Sequence, residues 1–600
     1  MSSKNSQPPK SQLNNLLSYY QNRQYVDAEK LALSITKTYP LHNYAWKILA
    51  AVLEQTKRVP EALIANQNAL KIDPNDPEVH LSMGNNLGQL ERLKDAELSY
   101  KKAIKIKPDY LQAYYNLATI LKKMRRLDES ASNFKQVIAL KPDFAQAYNS
   151  FSLTLIELGH LEDALVNLKK AIEIKPDYSH AFFNLAIAHR GLGKKKEALE
   201  NLNQVITLNP EYVRAYNDLG VTLAELGRYE ESLENFQKAI LLDPSYVEAY
   251  NNLGNIFKEL GSFEEASKNY KKAIELKPDY AKGLNNLGRL LLLKNNFKKA
   301  FEFMEWRLKL EELNFTPLEA SKPRWDGNRN QKIFLLKEQG IGDYIMFSSM
   351  IPELELNAEK LIVECDHRLL PILQRSFSNN IKFITDRMEV SDNDFDCHIP
   401  IGSLPLHFRK ELNDFQKLSK GWIKADPERV KKTRQIITQN KSNKIVGVSW
   451  KTKSLLTHSN LRNIELVTLL EPLNNLDLIF VNLQYGEVSK EIINLRSELG
   501  TEVLEMPGLD LFSDIDGLAA LISACDFVIS IDNLTPHVAG ALGVNTMLLL
   551  PKAADERWGL EPGKSYLYDS VNLYRQSSYN NWSEPLKNIK EVIENLYFKN

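Results

Sequence analysis

Ser530 to Gly543, SIDNLTPHVAGALG, brings Asp532, Asn533, Thr535 and His537 together between an apolar run, Phe527 to Ile531, and a small-residue helix. The run has the character of a buried parallel strand. Thr535 as N-cap and Pro536 as first helical residue would set the helix start. Strand, short polar loop and helix N-terminus make an anion site, because free backbone N–H groups and the positive dipole end face a crevice. A second strand-to-helix turn runs Lys337-Glu-Gln-Gly340-Ile-Gly342-Asp343-Tyr344. Gly340 and Gly342 would let a ligand approach the backbone closely. Asp343 either caps its helix or faces what binds there. Lys451, Lys453 and Arg462 follow a run ending at Trp450. Basic groups past a strand's carboxyl end suit a phosphate, and equally make a solvated basic loop.

Other chemistries find less support. Asp514-Ile-Asp516 spells a metal-binding D-x-D, but it precedes an apolar helix and reads as first-turn acid residues. Asp394-Phe-Asp396-Cys397-His398 reads as a strand, whose alternation separates neighbours onto opposite faces. Gly563-Lys-Ser565 lacks the upstream glycine of a phosphate-binding P-loop, G-x-G-x-x-G is absent, and no nucleophile elbow exists. Glu556, Arg557 and Trp558 read either as part of a base pocket or as a packed tryptophan between solvated charges. No metal and no resident cofactor are expected.

The elements that must position these groups lie in residues 331–600. Apolar runs alternate with helices there: Lys332 to Lys337, Lys360 to Cys365, Ile381 to Thr385, Ile445 to Trp450, Leu478 to Leu483, Phe527 to Ile531 and Met547 to Leu550. That alternation predicts parallel α/β sheets in two Rossmann-like lobes, 331–440 and 441–600, the second with a closing C-terminal helix. A linker, 313–330, precedes them.

Residues 7–312 have a different pattern. Prolines recur at 40, 74, 108, 142, 176, 210, 244 and 278, each 34 residues after the last. Each period carries two helical patterns. After Pro244 the first helix stops at Gly261, and Ser262 with Glu265 reads as a capping box opening the second. Ala28, Ala62, Ala96, Ala164, Ala198, Ala266 and Ala300 mark where paired helices cross, with Gly84, Ala118, Ala186, Gly220, Gly254 and Gly288 opposite. The pattern resembles the tetratricopeptide repeat, in about nine units forming an α-solenoid, the ninth a cap with Arg307 in place of alanine. Eight residues after each proline from Pro74 onward stands a polar residue, including Asn116, Asn184, Asp218, Asn252 and Asn286. These are either local helix hydrogen-bonding groups or a ladder holding an extended peptide, and they resemble the asparagine ladder of the protein O-GlcNAc transferases. A protein or peptide partner on the concave face is expected.

With 76 basic and 76 acidic residues, no bulk field recruits nucleic acid or an anionic membrane. Cys365, Cys397 and Cys525 are too dispersed for a disulfide framework or zinc site. A polar start without a signal core, and no apolar run long enough to span a bilayer, set a cytoplasmic expectation.

GIGDYIMFSSMIPEL together with SIDNLTPHVAGALGVNTMLLLP resembles the family 9 glycosyltransferases, typified by the ADP-heptose:lipopolysaccharide heptosyltransferases. It resembles more closely the bacterial proteins fusing such a domain to tetratricopeptide repeats. WIKADPERV, VNLQYGE and DGLAALISACD add to the likeness, which covers about 325–590. The resemblance implies a two-lobed GT-B fold, a nucleotide-sugar donor on the second lobe, and metal-free transfer to a protein or glycan. It assigns Asp343 as general base, puts Asp532, Asn533 and His537 against the diphosphate, and gives Arg462 a phosphate contact. Leu534 stands where the family has glycine and Asn533 where it has threonine, and the first lobe is short. A non-catalytic repeat scaffold is the other reading.

Overall fold

The computed structural model describes residues 7–310, 318, 322–338, 340–418, 421–439, 442–452, 462–552, 555–561, 563–578 and 580–597. It forms two compact units, one ending at Leu242 and the other beginning at Asp243.

The first unit is helical throughout, from Lys10–Gln21 to Tyr229–Leu242, in antiparallel pairs such as Pro77–Gln89 with Leu93–Ile106. The predicted alanines at 28, 62, 96, 164 and 198 are fully buried. Where serine replaces alanine the crossing is kept by a hydrogen bond: Ser130 and Ser232 donate to the carbonyls of Ala118 and Gly220 at 2.8 and 2.7 Å. The glycines answer to something larger than alanine. A Cβ on Gly84 would lie 2.5 Å from the Tyr100 ring, and one on Gly220 2.8 Å from Phe236. Each of these two glycines is a seat for an aromatic ring of the second helix.

The second unit opens with two more pairs, Val247–Glu259 with Phe263–Leu276 and Ala281–Leu293 with Phe297–Met304. Gly261 takes the left-handed conformation expected of it, φ 77°. The capping box does not form: Ser262 makes no side-chain cap, and the turn closes by its N–H donating to Phe257 O at 2.8 Å. The backbone alone satisfies this corner, so the hydroxyl is not needed there.

Two sheets follow. β1 (Gln331–Leu336), β2 (Ala358–Glu364), β3 (Lys382–Ile384) and β4 (Cys397–Pro400) form a parallel sheet ordered β3-β2-β1-β4. β5 (Lys444–Ser449), β6 (Leu478–Asn482), β7 (Val503–Leu504), β8 (Phe527–Ile531), β9 (Thr546–Leu550), β10 (Gly563–Lys564) and β11 (Val571–Arg575) form another, ordered β10-β11-β9-β8-β5-β6-β7. Among the described residues, only the β10–β11 pairing is antiparallel. All seven expected strands are present, and β4 covers the Cys397-His398 stretch; β7, β10 and β11 were not anticipated.

Alternation divides the cores. Ile333 and Leu335 of β1 join a cluster that also holds Val528 and Leu548, while Phe334 and Leu336 pack with Ile362 and Phe395 on the opposite face. The far face of the larger sheet is closed by the helix Ser583–Tyr597 through Leu586, Ile589 and Ile593. Among the described residues, no helix is long and apolar enough to cross a membrane.

Candidate functional site

The strand order reverses between β5 and β8, so a crevice opens past their carboxyl ends. Asn533 occupies it. This residue, not Thr535, is the N-cap of Leu534–Leu542: its Oδ1 accepts the Thr535 N–H at 2.9 Å. Its Nδ2 donates to Ser449 Oγ at 2.6 Å and to Lys451 O at 3.3 Å. One amide both starts the helix and ties β8 to β5. Pro536 therefore sits two residues beyond the helix start, where its missing N–H still costs nothing.

Asp532 is buried. Its Oδ1 accepts Trp558 Nε1–H at 2.9 Å, and Oδ2 pairs with Arg462 Nη1 at 2.7 Å. Burial pushes its carboxyl up, with the Arg462 guanidinium opposing. Arg462 also reaches Asp555 at 3.2 Å. Arg557 grips Asp555 through Nε and Nη2, both at 2.7 Å, and extends Nη1 to Asp343 Oδ1 at 2.8 Å. Burial would raise Asp555, but Arg557 and Arg462 more than offset it and hold the carboxylate well below the usual range. Glu556, next in the chain, pairs with Arg289 of the Ala281–Leu293 helix.

Gly340 is the N-cap of Ile341–Ser348, and a Cβ there would meet nothing within 4 Å. Asp343 makes no cap; its carboxylate is turned to Arg557 instead. Gly342 lies against His537, whose Cδ2 would be 3.1 Å from an added Cβ. The imidazole is sealed in: Nδ1 shares a hydrogen bond with Tyr568 OH at 2.8 Å, the ring stacks on Trp558 at 5.0 Å, and the buried Nε2 has no hydrogen-bond partner among the described residues. Burial, then Arg557, lower its pKa to about 3, so it is neutral at ordinary pH.

Gly342, Asp343, Arg462, Asp532, Asn533, Thr535 and His537 thus converge on two helix starts joined by Arg557 and Trp558. Lys451 points elsewhere, pairing with Glu491, and Lys453 lies outside the described residues. The D-x-D reading as structural acids fits: Asp514 caps Ile515–Ala524, and Asp516 pairs with Arg375 and Arg429. The solvated-charge view of Glu556 and Arg557 is corrected, since both are drawn into ion pairs and Glu556 is buried. Asp555 and Arg289 were missed as site residues, and Arg557 was weighed only for a base pocket, not as the partner of Asp343. The available signal was positional: Asp555-Glu556-Arg557-Trp558 follows the carboxyl end of β9, the same kind of place as Asp532 after β8.

The ladder residues bond partly along their own helix, as the local reading expects, and partly to the preceding repeat. Asn116 donates to Asn85 at 2.7 Å, Asn184 to Asn149 at 2.7 Å, and Asn286 to Asn251 and Asn255 at 3.0 and 3.2 Å. Each acceptor belongs to the preceding repeat, so these amides fasten one unit to the next. Asp218 and Asn252 accept from their chain neighbours Asn217 and Asn251.

Fold and site together define a tetratricopeptide-repeat chain carrying an α/β region with parallel sheets. Tetratricopeptide repeat profiles match residues 13–77, 77–110 and 99–130, and a TPR repeat profile matches 153–193, 188–227, 222–261 and 254–295. The chain is similar to Protein FlbA of Caulobacter vibrioides (strain ATCC 19089 / CIP 103742 / CB 15), 28% identical over 313 residues, 48% of this chain and 51% of that protein. It therefore spans about half the length of that relative. Among solved structures it is similar to YrrB, a TPR protein with an unusual peptide-binding site, at 23% identity, 31% of this chain, 95% of that one and TM-score 0.27. A tetratricopeptide repeat protein from Parabacteroides merdae ATCC 43184 matches at 16% identity over 41% of this chain and 97% of that one, TM-score 0.37.

Proposed function

We propose that the α/β region transfers a sugar from a nucleotide-diphosphate donor to a protein or glycan acceptor, and that the repeats recruit the protein concerned. The observation that carries this reading is the convergence of the Asp343 helix start and the Asp532–His537 helix start on Arg557. The diphosphate enters the β5–β8 crevice at the Leu534 helix start. Arg462 and Arg557 then exchange carboxylate partners for phosphate oxygens, as charge-assisted bidentate donors do readily. Release from Arg557 frees Asp343 to take the acceptor's hydroxyl proton. The acceptor oxygen bonds to the anomeric carbon as the carbon–oxygen bond to the diphosphate breaks, and the guanidiniums and helix start hold the departing charge.

The test is donor consumption and product formation by the full chain, with a panel of nucleotide sugars and candidate acceptors. Asp343→Asn should slow transfer by at least about 100-fold, the usual scale of general-base loss, while nucleotide binding persists. Unchanged transfer in that variant would remove Asp343 from the mechanism. A non-catalytic scaffold is the second reading, favoured by the Asp343–Arg557 pairing and the sealed, neutral His537. Tetratricopeptide arrays typically bind protein or peptide segments, which serves either reading.

A further inference from the structure

Beside Asp343 lies a cavity of about 250 Å³. One wall is the last repeat, through Leu292 and Met304; another is the Asp343 helix and its extension, through Met346 and Met350; Trp422 and Phe415 are among the other apolar lining residues. Asp343, Arg557, Arg289 and Glu556 make one polar edge. The exposures differ in kind: Trp422 and Met350 are buried, whereas the Asp343 and Arg557 side chains keep 26% and 22% of their surface in solvent.

Size and lining limit the occupant. An apolar cavity of about 150 Å³ admits a benzene ring, and drug-sized ligands need roughly 300 Å³ or more. This space therefore takes one aromatic ring with a substituent, not an oligosaccharide. Sugars also need dense hydrogen-bonding partners, whereas three methionines and five aromatic rings make most of this lining an adaptable apolar surface, with Arg307 and Arg409 adding charge at its margin. A carboxylate at the edge selects a group that donates a hydrogen bond.

Resting on the proposed transfer reaction, the geometry points to a tyrosyl side chain as the occupant: a peptide segment placed along the last repeat inserts a phenol and presents its hydroxyl to Asp343. The acceptor is then a tyrosine oxygen. Its proton passes to Asp343 as the new bond forms, with the nucleoside diphosphate as leaving group.

The experiment titrates the full chain with N-acetyl-tyrosinamide, N-acetyl-phenylalaninamide and N-acetyl-serinamide, reading ¹³C-methyl methionine spectra. The tyrosine amide should bind at least about ten-fold tighter than the serine amide and a few-fold tighter than the phenylalanine amide. Shifts should fall on Met304, Met346 and Met350 and spare most of the chain's nine methionines. Met346→Trp, substituted at a half-buried position, should fill the space and weaken tyrosine-amide binding about ten-fold without changing nucleoside-diphosphate binding. Equal affinity for tyrosine and serine amides, or shifts elsewhere, would overturn the assignment even if Met346→Trp does not fold. Nucleotide titrations run in parallel separate the two claims: tyrosine-amide binding without any nucleotide binding keeps the pocket and sinks the transferase.

Discussion

His537 and Arg557 carry different loads at the scale of single residues. Burial lowers the His537 imidazole from 6.5 to about 3, so the unfolded chain binds a proton that the folded chain refuses between those values. Stability from this group is complete above about pH 6.5 and falls as pH falls through that window, by about 2 kcal/mol at about pH 5. His537→Gln should flatten the acid side of the stability–pH curve by that amount in urea denaturation; an unchanged slope would mean the ring is solvated. Arg557 bridges Asp343 and buried Asp555. Arg557→Met takes the cation from Asp343 and leaves Asp555 with Arg462 alone, and should cost about 2 kcal/mol, less than a fully buried pair because part of the guanidinium meets solvent. The sequence order made Asp532, Asn533 and His537 readable as a cluster, since a strand end and helix start put them together locally. Arg557 was not readable in the same way: its partner Asp343 is 214 residues away, and nothing short-range separates a buried guanidinium from a solvated one.

At the scale of elements, the 34-residue period exposes both what glycine does and where it is missing. The corner between paired helices is left-handed in every described example: Gly159, Gly193, Gly227 and Gly261 sit there, but so do Arg23, Lys57, Glu91, Arg125 and Asn295, with φ of 57–62°. A non-glycine residue in that conformation costs roughly 1 kcal/mol, part of which returns as lower unfolded-state entropy. Lys57→Gly should therefore stabilise by about 0.5 kcal/mol, and Gly159→Ala, with open space around it, should destabilise by about 1 kcal/mol. Chemical denaturation of the two variants gives opposite shifts if backbone strain governs the corner. Gly254→Ala is a packing test: its Cβ would lie 2.6 Å from the fully buried Tyr270 ring, whose hydroxyl is held by Asn255. Overpacking of about 1–3 kcal/mol should exceed the ~1 kcal/mol gain in helix propensity. Repeat length, helix pairing and strand runs were legible because period and alternation are properties of a few adjacent residues. The Ser262 capping box failed because backbone geometry met the same need. β7 and β10 are two-residue strands, too short to leave a pattern.

At the scale of the molecule, two compact units share one sequence rule, yet the second also houses the α/β sheets and every residue of the candidate site. Balanced charge leaves recognition to local surfaces. In the second unit the last repeat touches the site chemically: Arg289 holds Glu556, and buried Arg307 holds Glu338 at 2.6 Å just past β1. Arg307, which stands where alanine is common in the repeats, is thus a latch onto the first sheet. The proposed occupant of the β5–β8 crevice is a nucleotide diphosphate, and calorimetric titration of the full chain with ADP, UDP, GDP and their sugars reads its binding. At least one should bind, and Arg462→Met should weaken it about ten-fold, or about 1.4 kcal/mol. No binding by any nucleotide, or binding indifferent to Arg462, would contradict the claim.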